Sequence, residues 1–491
     1  MIEAIRKLVT EGQLLDARAR VRDILSRGVP RDRARTTQLA YLARRSGFPE
    51  ASLHLLRGVV RGTQSRKTDA TEEERAEYGM ALAEVGAGRE AVSLLAGIDV
   101  RKFPWVFHGL TLAYFRQWEW EKARPGIESF LARPGISTHD ELWGTYYLAR
   151  ALLHGARARA RSRELFERLA RAADRHAYPS LSLDAWIGLA DACLLDRDWK
   201  GALRALAPIE AIELREPASR QGLGVAERRL EAALCRSPRS GAALRELHRL
   251  RARLAESGHW EQTRACDLHE ALDTGNDEVF LRLYFGTPYP GARRIFLRDL
   301  DRRAEDIPEA LHWPGPRARA TLDLVAGSEA LEPGRMPLRV VQALAADLYA
   351  PANAVTLFER LYPGQYFHPN AGPARVWQAL RGARRALAGT ALRIEERSGF
   401  YRLEAGPGIR LRLPRPTLEP SGEASKSRSR IEGLLSRLSR ELAPAEAFAA
   451  SRFSAELGIS RRSAQRYLGE AVRDGLLSSS GAGRATRYRL V

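Results

Sequence analysis

From the first residues to about residue 210 one pattern recurs. A helix-length amphipathic run ends in a turn of small residues, and a second, Ala-led apolar run follows. It stands at Leu42–Ala51 (LARRSGFPEA), at Ala81–Ala91 (ALAEVGAGREA), at Ala113–Ala123 and at Ala190–Ala202. Small residues at the turn let two helices cross closely, and the 3.6-residue apolar spacing leaves a stripe that the pair cannot bury by itself. Consecutive pairs must therefore stack to close a core. The leading alanines Ala51, Ala91 and Ala123 lie 40 and 32 residues apart, so the repeat is irregular.

At 491 residues, with 44% hydrophobic and 28% charged residues, the chain has the composition of an ordinary globular protein of several domains. No apolar run approaches the roughly 20 residues of a membrane helix, so no membrane partner is expected. Met1–Lys7 opens directly into an amphipathic pattern with no signal-peptide core, which makes the cytoplasm the expected location. Cys193, Cys235 and Cys266 form no CxxC pair, so buried thiols are expected rather than a disulfide framework or a zinc ribbon. The chain contains no GxxxxGK[ST], HExxH or GxSxG motif. Its ten histidines are scattered, and His248, His259 and His269 sit in helical segments where a structural role is expected. We read no enzyme, no cofactor and no metal from it.

The chain carries 79 Lys and Arg against 60 Asp and Glu, a formal charge of +19. That balance favours polyanionic partners, because neutralised phosphates release counterions. Only six of the bases are lysines, an Arg bias that reads as a GC-rich genome; codon bias does not explain the excess of base over acid. The excess is spread along the chain, and it is denser in the C-terminal stretch than in the segment before it. Residues 424–491 hold thirteen bases against six acids, whereas residues 321–404 hold ten arginines against eight acids.

Helical spacing continues from 211 to about 315, including Val225–Leu234 and Ala242–Leu254. The aromatic stretch Val279–Pro290 is expected to be a helix end, broken by Gly286 and Pro288, that packs into the following domain. After His312-Trp313-Pro314 the pattern changes. Thr321–Val325 and Glu329–Leu331 read as a short antiparallel hairpin around Gly327. Helices are expected at 338–347, 354–361 and 373–388, with Pro373 in the first turn of the last. Residues 405–425, rich in Pro, Ser and charge, are expected to be a flexible spacer.

The repeated helix pairs resemble the tetratricopeptide repeat, whose period is about 34 residues. Residues 321–404 resemble the OmpR/PhoB effector-domain family in their opening sheet, three helices and a wing. Leu357–Gly364 is similar to the ending of that family's second helix, and Leu392–Leu403 to its wing, with Gly399 followed by an aromatic. The resemblance makes 373–388 the recognition helix. Val376, Leu380, Ala383 and Leu387 would face inward, and Gln378, Arg381 and Arg385 outward, with Arg375 and Arg384 beside them. Gly382 in mid-helix and Glu395 and Glu396 at the wing depart from what DNA contact favours. No receiver domain precedes the segment, so aspartyl-phosphate control is not carried over.

Residues 427–491 resemble the winged helix-turn-helix family. Phe453–Ser460 reads as a short helix, a Gly turn and an N-capping serine, and Arg461–Asp474 as a second helix. Leu476–Ser478 and Thr486–Leu490 read as strands flanking a loop that carries Arg484. Arginine suits guanine edges and phosphates, and glutamine suits adenine. Arg461, Arg462, Gln465 and Arg466 on the helix, and Arg484 and Arg487 on the wing, are the expected DNA contacts, joined by Arg375, Gln378, Arg381 and Arg385.

The expected fold class is thus mainly α: TPR-like helical repeats over 1–210, a helical extension over 211–315, an OmpR-like winged helix over 321–404, the spacer, and a C-terminal winged helix over 426–491. The expected function is sequence-specific double-stranded-DNA binding by a bacterial, nucleoid-associated transcriptional regulator. Its helical platform would take a protein partner or effector, and homodimerisation is left open. The alternatives are a DNA-bound architectural or replication and segregation factor, and a helical scaffold whose winged helices bind protein.

Overall fold

The computed structural model describes residues 2–10, 13–28, 30, 32–61, 70–155, 157–216, 219–314, 320–328, 331–418 and 448–456. In the last stretch it also describes 464, 465, 467–469, 472, 477–481 and 486–490. The chain divides into two compact units, Met1–Leu418 and Glu419–Val491.

The first unit is mainly helical. It opens with α1 (Ile2–Thr10), α2 (Leu14–Arg27), α3 (Arg33–Arg45), α4 (Pro49–Val60), α5 (Glu72–Val85) and α6 (Gly88–Leu95). Then come α7 (Val106–Phe115), α8 (Trp120–Leu131), α9 (Thr138–Leu153), α10 (Arg159–Arg175), α11 (Pro179–Leu195) and α12 (Trp199–Leu206). The run ends with α13 (Ala211–Arg215), α14 (Arg220–Arg236), α15 (Gly241–Glu256), α16 (Trp260–Thr274), α17 (Asp277–Phe285) and α18 (Pro290–Asp299). Among the described residues no helix is long and apolar enough to cross a membrane.

Most helices pack on the next, and many reach the second neighbour as well: α1 on α3, α3 on α5, α5 on α7, α9 on α11, α12 on α14, α14 on α16. Side-chain caps set several starts. Thr71 and Glu74 form a reciprocal capping box at α5, and Ser137, Asp198, Ser219, Ser240 and Asn276 accept from backbone N–H groups at α9, α12, α14, α15 and α17. The turn glycines Gly47 and Gly86 take positive φ (73° and 100°), while close helix approach rests on glycines inside helices. A Cβ on Gly188 of α11 would lie 2.5 Å from the Phe166 ring of α10. Cys193 and Cys266 are buried, and Cys235 is half-buried with its thiol toward the Arg197 carbonyl. The aromatic stretch forms α17 and the start of α18, and the Gly286 carbonyl accepts from Leu348 N–H at 3.0 Å in the following segment.

The remainder of the unit is β1 (Ala310–Trp313), β2 (Ala320–Asp323), α19 (Met336–Ala345), β3 (Ala352–Asn353), α20 (Ala354–Leu361), α21 (Ala371–Ala386), β4 (Leu392–Arg397), β5 (Phe400–Ala405) and β6 (Ile409–Pro414). They form two three-stranded sheets, ordered β1-β6-β2 and β3-β5-β4. Two expectations are corrected here. Thr321–Leu331 is not a hairpin: β2 pairs in parallel with β6, and β1 pairs with β6 from the other side. Asp323 Oδ1 caps the N–H groups of Val325 and Ala326, which turns the chain away after one short strand, and among the described residues Gly327 and Leu331 take part in isolated bridges. Nor is 405–425 wholly a spacer, since β6 is the central strand of that sheet, with Leu411 and Leu413 buried. Alternating Leu and Arg over 409–414 is a period-2 pattern that the flanking prolines obscured.

One apolar core joins Ile5, Leu39, Leu56 and Tyr78 of the first helices to Phe285, Leu344, Phe358, Leu380 and Leu413. The 310–414 segment therefore packs as part of the unit rather than as a bead beyond it. Polar contacts bind it further. Arg264 of α16, its side chain 1% exposed, donates from Nη2 to Asp347 Oδ1 at 2.8 Å. Glu90 of α6 accepts from Phe367 N–H at 2.8 Å, and Glu359 of α20 accepts from Arg89 N–H at 3.1 Å.

The second unit holds β7 (Phe448–Ala449), α22 (Ala450–Glu456), β8 (Leu477–Ser480) and β9 (Arg487–Leu490) in a sheet ordered β7-β9-β8. Residues 464, 465, 467–469 and 472 are helical. Phe448, Phe453, Ala464, Leu468 and Leu477 are buried.

Removing one partner of a buried ion pair strands the other charge. Asp347→Ala is expected to lower the unfolding free energy of the chain by roughly 3–5 kcal/mol, measured by urea denaturation, with Asp347→Asn milder because it keeps an acceptor.

Candidate nucleic-acid interface

The order α19, β3, α20, α21, β4, β5 places one helix, α21, with its long axis free on one side. Gly372, Val376, Ala379, Leu380 and Ala383 are buried, and the opposite side carries Gln378, Arg381 and Arg385, all exposed. The expected inward and outward stripes are those the helix adopts. Arg385 takes no ion pair among the described residues. Trp377, on the same side, is 51% exposed, and the Arg381 guanidinium lies 5.6 Å from its ring centre. Trp377 was not among the residues expected here. Its signal was legible, because it directly follows the inward Val376 and so falls about 100° away from the apolar stripe.

Arg375 is placed differently from its neighbours. It is half-buried, donates to Gln365 Oε1 at 2.8 Å, and lies 3.9 Å from the Tyr362 ring centre. That guanidinium is occupied in holding the turn between α20 and α21. The turn is also held from outside. Arg61, just after α4, pairs with Glu90 at 2.7 Å and covers the Tyr366 ring at 3.9 Å. Burial pushes the Glu359 carboxyl up to about 7, against the Arg89 charge and backbone N–H that favour ionisation.

Beside α21 stands the β4–β5 hairpin. Arg397 pairs with Phe400 across a two-residue loop in which Ser398 and Gly399 both have positive φ (52° and 79°). Both central residues with φ > 0 is the type I′ geometry that matches strand twist, and Gly399 supplies it without a Cβ penalty. Glu396, an expected source of repulsion toward phosphate, pairs with Arg384 at 3.2 Å, and Glu395 stands opposite Arg402. The surface thus offers two cations, one amide and an indole on a rigid helix, next to a narrow hairpin whose Glu396 is countered by Arg384.

In the second unit Gln465 is helical and exposed, and Arg487 is exposed on β9, opposite Ser480 and Ala449. Arg461, Arg462, Arg466 and Arg484 lie outside the described residues.

A scan against protein-family models matches none to this chain, and a search of curated proteins returns no match.

Two stability outcomes follow. Arg375→Ala is expected to cost about 1 kcal/mol through loss of its stacking and hydrogen bond, whereas Arg381→Ala and Arg385→Ala should stay within about 0.5 kcal/mol; chemical denaturation of the three variants compares them. Gly382 is helical, and a Cβ there would meet nothing within 4 Å. Gly382→Ala should therefore raise stability by roughly 0.5–1 kcal/mol, seen as a higher denaturation midpoint.

Proposed function

We propose that this chain is a sequence-specific double-stranded-DNA-binding transcriptional regulator, with a TPR-like helical platform that takes a protein partner or effector. The observation that carries the reading is the exposed Gln378–Arg381–Arg385 side of α21 beside a type I′ hairpin. A helix with bidentate donors on one face fits the major groove, and a thin hairpin next to it reaches along the backbone. The order helix, strand, helix, helix, hairpin supports the winged-helix reading. The second unit repeats the sheet order, its short first strand pairing with the last, and its sequence is more basic than that of residues 321–404. Two such modules on one chain suit an extended site, where the second contact is made at a high effective concentration.

The first module shares its core with the helices and its neighbouring sheet with β1, so it does not stand on a fragment beginning at 321. The chain ending at Leu418 is the cleaner comparison. In this reading the full chain protects a longer DNA segment than the 1–418 chain does, and binds it more tightly. Arg381→Ala in the full chain costs roughly 1–3 kcal/mol and relaxes one base position, while Arg487→Ala weakens all sequences about equally. Footprinting and binding-site selection at fixed salt measure both. Absence of duplex binding at low salt by the full chain would reject the reading in favour of a protein scaffold.

A further inference from the structure

The side of α14 that meets α11 and α16 buries more acid than base. Glu227 and Glu231 stand one turn apart on α14, and both are fully buried. Arg228 donates from Nε to Asp191 Oδ1 of α11 at 2.6 Å and from Nη1 to Glu227 Oε2. The other Asp191 oxygen accepts from Arg150 of α9 at 3.1 Å. Glu227 Oε1 faces the Cys266 thiol of α16 at 3.7 Å. Two guanidinium groups therefore offset Asp191 and Glu227.

Glu231 has no such offset. Neither of its oxygens has a hydrogen-bond donor among the described residues. The nearest base is His269 Nε2 of α16, 3.6 Å away, and burial holds that imidazole neutral, pushed down to about 4. The other charges nearby are engaged elsewhere: Arg197, after α11, with Asp273, and His248 of α15 with Glu270. The segment entering α13 meets α14 through the Glu210–Arg229 pair at 4.0 Å. An ionised Glu231 would be a second carboxylate beside Glu227 in a water-excluded site. Among the described residues no three donors are grouped to hold a metal ion. A proton is what remains to neutralise it.

We propose that Glu231 is protonated in the folded chain, and that losing this proton loosens α14 against α11 and α16. Burial pushes the Glu231 carboxyl well above the usual range, and the Glu227 charge pushes it further the same way. A carboxyl raised in the folded state keeps its proton where the unfolded chain has released it. Its stabilising effect is complete below the ordinary glutamate range and declines as pH rises through the folded value. The array is thus a joint that tightens in mild acid and loosens in alkali. Since α16 also carries Arg264, the loosening reaches Asp347 and the loop that leads to α20 and α21. The proposal stands independently of DNA binding.

The test compares the full wild-type chain with Glu231→Gln, which keeps the shape and an N–H donor but cannot ionise. Between about pH 5 and about pH 8.5 the wild-type urea midpoint should fall further than that of the variant, so that the variant becomes the more stable of the two in alkali. Infrared spectra should show a protonated-carboxyl carbonyl band in the wild type at neutral pH that weakens in alkali and is reduced in Glu231→Gln. Parallel pH profiles of the two proteins overturn the proposal. So does a zinc-dependent rise in the wild-type midpoint that the variant lacks, since a cation would then occupy the pair. Were the variant to misfold, the band is read in Glu359→Gln, which removes another raised carboxyl: its absence at neutral pH overturns the proposal, and its loss only in alkali supports it.

Discussion

Arg264 meets Asp347 across 83 residues of sequence, and both side chains are 1% exposed. Burial works against the charge of a guanidinium in that position, and the facing carboxylates of Glu261 and Asp347 outweigh it. Asp347 in turn caps the N–H groups of Tyr349 and Ala350, so the same carboxylate that anchors α16 also shapes the loop before β3. Tyr349 then donates to Asp267, which sits between Arg251 and Arg282. One charge-assisted network thereby sets where β3, α20 and α21 begin relative to the helices. Such pairs contribute little net stability, because desolvation offsets much of the attraction, but they discriminate strongly between one docking of two elements and another.

The consequence for α21 is that its exposed side is presented from a fixed base. Its buried side shares the core of α19 and α20, its entry turn is held by Arg375 on Tyr362, and that turn is clasped by Arg61 and Glu90 from the N-terminal helices. A face of a few polar side chains can discriminate between partners only when its backbone does not move, since an error of an ångström breaks bidentate hydrogen bonds. The clasp also gives the first six helices a direct mechanical hold on this segment, which is what a platform would need in order to influence it.

The second polar network, around Glu227 and Glu231, differs in kind. The Arg264 network has its carboxylates matched with guanidinium groups, whereas the α14 network is one base short. Buried charge that is matched locks a geometry; buried charge that is unmatched makes the geometry depend on proton binding. The two meet on α16, which contributes Arg264 and Asp267 to one and Cys266 and His269 to the other.

Local physics made much of this protein legible in its sequence. The helical predominance followed from 3.6-residue apolar spacing and small-residue turns. Which side of α21 is buried followed from the positions of Val376, Leu380 and Ala383, because a helix has one period and one apolar stripe; α20 spans the expected 354–361, whereas α21 begins and ends two residues before the expected 373–388. The Gly399 turn was readable for the same reason: a two-residue hairpin needs positive φ, and glycine adopts it at no cost. Tertiary structure decided what depends on partners distant in sequence. Thr321–Leu331 lost its hairpin because β6, some ninety residues on, offers a full edge, and no local pattern encodes which strand will arrive first. Arg375 looked like its neighbours until Tyr362 and Gln365 were beside it. Asp347 and Glu231 read as ordinary acids on ordinary helices. Only packing gave the first a guanidinium and left the second without one, because burial and charge pairing are properties of the neighbours a residue acquires.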